Sequence, residues 1–167
     1  IVDHGLRDQS HAEARRVQKR MRSFGVTSHI ISIDGPRPKS GLQEWARLRR
    51  YQVLMSAARD RQAVILFAHH GDDQAETIAM RLLRGSGLAG LAGIPSTRFQ
   101  HGITISRPLL GWSHDQLLRV CCHFGYAFED DPSNRDRQFE RVRIRQLLAH
   151  LVQRGEGPSS DQLRRLG

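Results

Sequence analysis

Residues 69 to 77 read HHGDDQAET, so His69, His70, Asp72, Asp73 and Glu76 stand directly after the most apolar run of the chain, AVILF. Imidazoles and carboxylates gathered at such a point need water, a metal ion or a charged ligand, because burying them unpaired is costly. Hard carboxylate oxygens suit magnesium and its phosphate partner. A neighbouring imidazole can contact phosphate or carry a proton near neutral pH. Helix capping explains part of the same stretch, since Asp72 and Asp73 would compensate the positive end of a helix dipole. Capping leaves Glu76, Thr77 and the paired histidines without a role. Zinc is set aside in both usual forms: the acids follow both histidines, no histidine recurs one turn on, and no cysteine is near.

Two further stretches carry chemistry only in company. VDHGLRDQS, residues 2–10, reads alone as a strand-to-helix loop with a turn glycine at Gly5 and with His4 and Arg7 on its surface. In DPSNRDRQFERVRIRQLL, residues 131–148, Arg141 and Arg145 share a helix face while Arg143 points elsewhere. Such a face is either solvated or a grip on polyphosphate or RNA, whose oxygens match guanidinium forks. Both readings stay open here.

The elements that would hold these residues alternate. Ser10 and Glu13 have capping-box spacing, Ala14, Val17, Met21 and Phe24 recur at helical intervals, and Gly25 is a stop. SHIISID is β-rich, and a long helix is expected from Leu42 to Arg59. AVILFA, apolar at every position, suits a parallel strand covered on both faces. In the helix that follows, Ala75, Ile78, Ala79, Leu82 and Leu83 form one core face, with Asp73 and Glu76 on another. RGSGLAGLAGIPS is a glycine-rich connection, and GITISRPLL is a strand ended by Pro108. Ser113 and Gln116 cap a helix through Phe124, and a last helix runs from Phe139 to Leu151. The alternation is that of a doubly wound α/β sheet, in which ligands bind beyond the carboxyl ends of strands, at helix N-termini.

Composition narrows the class. The 167 residues suffice for one ordinary domain. No apolar stretch approaches the ~20 residues of a membrane helix, and no basic-then-apolar leader is present. Cys121 and Cys122 are adjacent and match neither a C-x-x-C redox motif nor a zinc site, so buried, reduced thiols in a cytoplasmic protein are expected. The 26 basic against 17 acidic side chains give a formal charge of +9, which favours phosphate-rich partners, nucleic acid first. A solvated, arginine-rich surface accounts for the charge equally well. The chain opens as the tail of a strand and closes on GEGPSSDQLRRLG, a linker and the start of a further helical pattern. It reads as a middle piece of something longer.

VDHGLR, AHHGDDQAET, RLLRGSGLAGLAGI, RPLLGWS and DPSN…RVRIR occur in an order and spacing that resemble bacterial tRNA(Ile)-lysidine synthetases, over roughly residues 1–152. That family belongs to the N-type ATP pyrophosphatases, the PP-loop superfamily. The resemblance implies an α/β fold, a Rossmann-like parallel sheet with helices on both faces (adenine nucleotide alpha hydrolase-like), with the first central strand missing. Residues 1–152 would be a partial catalytic domain, and 153–167 a linker and the start of a truncated region. The activity implied uses ATP and Mg2+ to adenylate the wobble cytidine of tRNA(Ile) with a CAU anticodon and then joins free L-lysine to it. Carried over, His69, Asp73, Glu76 and Arg143 would be catalytic, with Asp73 and Glu76 as magnesium ligands. His4, His70, Asp72 and Thr77 would bind ATP or substrate, and Arg84, Arg141 and Arg145 would bind tRNA or phosphate. The resemblance leaves room for a homodimer. Two departures stand out: the Ser-Gly-Gly-x-Asp-Ser loop that cradles polyphosphate is not in this sequence, and Val142 stands where asparagine is expected. The chain as given is therefore expected to be inactive. A tRNA thiolase of the same superfamily and a non-catalytic RNA-binding remnant are the alternatives.

Overall fold

The computed structural model describes residues 1–6, 9–33, 35–36, 38, 40–128 and 132–165. Arg7 and Asp131 lie outside these residues. The chain forms two compact units, Ile1–Ile65 with His101–Ile103, and Leu66–Gln100 with Thr104–Gly167.

In the first unit, strand β1 (Val2–Asp3) pairs in parallel with β2 (Ile31–Ser32), Val2 opposite Ile31 and Asp3 opposite Ser32. Helix α1 (Ser10–Ser23) makes the crossover that a parallel pair requires, and helix α2 (Leu42–Asp60) follows. The expected Ser10–Glu13 capping box does not form, because the N-cap is Gln9 and Ser10 is already helical. The Ser10 hydroxyl is engaged instead with buried Asp3. Asp3 Oδ1 also accepts the Gly5 amide at 2.9 Å, and Oδ2 lies 3.1 Å from His11 Nδ1. These partners, the Gly5 amide first, hold the Asp3 carboxyl below the usual carboxylate range. The turn after β1 is thereby tied to the first turn of α1.

After α2 the order is β3 (Ile65–Leu66), α3 (Gly71–Leu83), α4 (Leu88–Leu91), β4 (Thr97–Gln100), β5 (Ile103–Ser106), α5 (His114–His123), a 3-10 turn (Pro132–Arg135), α6 (Glu140–Arg154) and α7 (Ser160–Arg164). The three strands order as β3-β5-β4. Strand β4 is absent from the sequence reading. His101 and Gly102, with φ of 50° and 79°, form the tight turn that returns the chain into β5, and a two-residue turn makes that pair antiparallel. AVILFA yields only two strand residues. Ile65 is buried but Leu66 is 68% exposed, so the expected cover on both faces is not present.

The core of the second unit joins Ala75, Ile78 and Ala79 of α3 to Ile144 and Leu148 of α6 and Leu163 of α7. Leu82 and Leu83, expected on the same face, are exposed; burial along α3 stops at Ala79. The glycine-rich connection is pinned to α3. Arg81 donates to the carbonyls of Gly90 and Gly93 at 2.8 Å each, and buried Gln74 accepts the Ile94 amide at 2.6 Å. Gly93 has φ +65°, a conformation that favours glycine, and a Cβ there would have to displace the Gln74 amide, 2.6 Å away. The cysteines depart from expectation: both are free, but Cys122 is exposed and Cys121 half-buried. No helix among the described residues is long and apolar enough to cross a membrane.

Candidate active site

The chain leaves β3 through Phe67 and His69, and His70 becomes the N-cap of α3 in extended conformation. Asp73 reaches back so that its Oδ2 accepts the His70 amide at 3.0 Å. The capping role foreseen for the aspartates is thus real at Asp73. Asp72 turns the other way, its Oδ2 accepting the His114 amide of α5 at 2.6 Å, while Gly71 donates its amide to the Trp112 carbonyl at 2.7 Å. Two helix starts are stitched together by reciprocal bonds. The His70 ring lies between the two aspartates, 3.6 Å from Asp72 and 3.5 Å from Asp73, with the His114 ring 5.7 Å away.

Glu76 sits one turn into α3 beside the core stripe and is 1% exposed. A carboxylate so placed survives only with partners. Arg145 supplies the main one, donating Nε to Glu76 Oε1 at 2.6 Å, and Arg141 Nε stands 3.3 Å from Oε2. Arg141 also lies 3.6 Å from Asp73 and donates to Thr77 Oγ1 at 3.1 Å, while Thr77 donates its hydroxyl to the Asp73 carbonyl. Burial pushes the Glu76 carboxyl above its ordinary range, with Arg145 and Arg141 opposing that rise. The bond to Glu76 in turn raises Arg145.

These groups border a cleft of about 680 Å³, within the size range of small-ligand pockets. His70, Asp72, Asp73, Glu76 and Arg145 line it, as do residues that the sequence reading did not assign to a site, among them Ser113, His114 and Asp115 at the start of α5. The signal for them was the strand-to-helix junction after β5, where Ser113 registered only as a cap. It is one, accepting the Gln116 amide at 3.2 Å. Within the second unit, His69, Arg143 and Arg84 stand outside this lining. His69 packs against Phe67, ring centres 5.7 Å apart. Arg143 is exposed and donates to the carbonyls of Arg137 and Gln138 at 2.9 Å. Arg84 is exposed and pairs with Glu140. His4 belongs to the first unit, where its Nε2 accepts from Arg50 Nε at 3.0 Å; burial, with the charge of Arg50, pushes the imidazole below its usual range.

Asp73 and Glu76 do not fit magnesium as they stand. Asp73 Oδ2 is engaged in its own helix cap and both Glu76 oxygens lie against guanidinium groups, so neither residue has its carboxylate open to direct coordination of the ion. Among the described residues no group of three or more His, Cys, Asp or Glu is placed to hold a metal. The cleft instead offers cationic forks and carboxylates side by side, able to take a ligand carrying both phosphate and amine.

A family model described as a PP-loop domain matches residues 1–152. The chain belongs to the PP-loop family. Membership implies ATP as the nucleotide such a domain uses. Among curated relatives, the chain is 44% identical over 158 residues to the tRNA(Ile)-lysidine synthase of a Bradyrhizobium species, covering 94% of this chain and 44% of that one. It is 42% identical over 166 residues to the tRNA(Ile)-lysidine synthase of Methylobacterium nodulans, covering 99% of this chain and 48% of that one. The PP-loop chain thus spans about half the length of the curated relatives it matches. Among solved structures, the U34-tRNA thiolase NcsA from Methanococcus maripaludis, with its 4Fe-4S cluster, superposes with a TM-score of 0.77 over 98% of this chain and 58% of that one. At 14% identity the likeness is one of fold alone.

Proposed function

We propose that this PP-loop chain carries catalytic machinery of a tRNA(Ile)-lysidine synthase-type ligase. The reaction has two halves. The wobble cytidine of tRNA(Ile) with a CAU anticodon attacks the α-phosphorus of ATP and releases pyrophosphate. The amino group of free lysine then displaces AMP, forming a carbon–nitrogen bond. One observation carries the assignment: carboxylates from α3 and the Arg145 guanidinium of α6 line one cleft, in a chain over 40% identical to enzymes of that name. Negative charge builds on the phosphate oxygens in the first half, and Arg145, backed by Arg141, is the group to meet it. Lysine enters as an ammonium and must lose a proton to attack; Asp73, with His70 between it and Asp72, is the cleft carboxylate suited to hold and relieve it. Magnesium enters only as the ion that accompanies ATP, and no step is assigned to it. Adjacent free thiols at Cys121 and Cys122 suit a reducing cytoplasm.

The test is a chimera in which this chain replaces the matching residues of the Bradyrhizobium relative. Incubated with tRNA(Ile), lysine and ATP, it is expected to release pyrophosphate and to yield lysidine on nucleoside mass analysis. A folded chimera that binds tRNA but makes no lysidine would leave an RNA-binding remnant as the better reading; sulfur incorporation would favour the thiolase.

A further inference from the structure

We infer that a groove beside α1, in the first unit, seats the phosphodiester backbone of RNA. The inference rests on the proposed chemistry only for the identity of the polyanion. Arg15, Lys19 and Arg22 recur at i, i+4 and i+7, so they share one face of α1, and all three are exposed. They line a groove of about 450 Å³ whose other wall is the segment from Gly25 to Ser28. That wall is fixed to the helix, since Gln18 donates its side-chain amide to the Ser28 carbonyl at 3.0 Å. Arg15 donates Nε to His11 at 3.0 Å. Neither Lys19 nor Arg22 has a carboxylate partner among the described residues. The row of cations extends over about 10 Å of helix, at 1.5 Å per residue.

Charge alone would suit any polyanion, but the surroundings choose. Val26 is half exposed on the groove wall and Phe24 is half exposed just before it. A cationic track with an exposed aromatic ring, Phe24, next to it in the chain is the combination that holds single-stranded nucleic acid, phosphates on the cations and a base on the ring. A lipid surface would need an amphipathic helix presenting its apolar stripe outward. Helix α1 turns Ala14 inward to full burial and leaves Val17 half-buried, so its exposed face is cationic.

The experiment measures binding of a short fluorescent RNA stem-loop by anisotropy across a salt series, using the whole chain. Lys19→Glu with Arg22→Glu is expected to weaken binding about tenfold or more at low salt and to lower the slope of log affinity against log salt by about two. Arg59→Glu with Arg61→Glu, an equal change of net charge on exposed residues at the end of α2, is expected to change affinity less than about threefold. Circular dichroism checks folding; should the reversal variant unfold, Lys19→Ala with Arg22→Ala is expected to lower the slope by at least about one. An unchanged slope in the folded groove variants, an equal loss in the Arg59 and Arg61 variant, or binding of wild type to phosphatidylserine vesicles but not to RNA would each overturn the inference. The outcome separates from that of the ligase assignment: a chimera without lysidine synthesis leaves the groove standing, and a groove variant with unchanged RNA binding leaves the ligase standing.

Discussion

At the scale of the residue, Glu76 shows how far local pattern reaches. Its spacing from Asp73 marks it as one of a pair on α3, but its partner Arg145 lies 69 positions away and its burial depends on α6, neither of which is local information. The result is a buried carboxylate stabilised by a guanidinium that is 45% exposed. Replacing Arg145 by alanine is expected to cost about 2 kcal/mol at pH 7, less than for a fully enclosed pair because water reaches the guanidinium side. The cost depends on pH with a definite sign. Because burial raises the Glu76 carboxyl in the folded state, its contribution to stability is complete below about 4.5 and is lost as pH rises through the raised value. Without Arg145 that loss deepens. Thermal unfolding should therefore find Arg145→Ala close to wild type near pH 4 and clearly weaker at pH 7; an equal deficit at both would contradict the pairing. Asp3 behaves oppositely, its held-down carboxyl giving stability above about 3.8 that disappears in stronger acid.

At the scale of the element, the long helices are legible, whereas α4 (Leu88–Leu91) lies inside the stretch expected to be a glycine-rich connection and the β-structure is legible only in part. Helix α5 is legible because its capping box is written in four consecutive residues, Ser113 to Gln116, and both halves of the box form. Strand β4 was not, because Thr97–Gln100 alternates too briefly and its partner is declared by a His-Gly turn rather than by a familiar turn pair. AVILFA was over-read, since an apolar run reports a tendency to burial and not the neighbour that supplies it. The stitching of α3 to α5 through Asp72 gives a prediction at this scale. Asp72→Ala removes the acceptor of the His114 amide and should cost about 1 kcal/mol, as loss of a helix cap does. Amide hydrogen exchange should show His114 losing protection while the middle of α3 keeps its own; unchanged protection at His114 would contradict the stitching.

At the scale of the whole molecule, the family and its α/β class were legible because several separated motifs agree, and agreement among motifs is harder to reach by chance than any one of them. The division of labour inside the cleft was less so. Helix spacing already separates Arg141 and Arg145 from Arg143, which turns to carbonyls, but that the pair meets Glu76 and neutralises the expected magnesium ligands is decided only when α3 and α6 pack. The central claim is that these acids face a reacting ligand instead of merely finishing a helix, and Asp73→Asn in the chimera separates the two. Asparagine keeps an oxygen for the His70 amide, so the cap survives while the charge is lost. Lysidine formation and melting temperature should be measured together on this one variant. The account predicts turnover lower by about a hundredfold or more with the melting temperature nearly unchanged; full turnover, or a loss that merely follows unfolding, would contradict it.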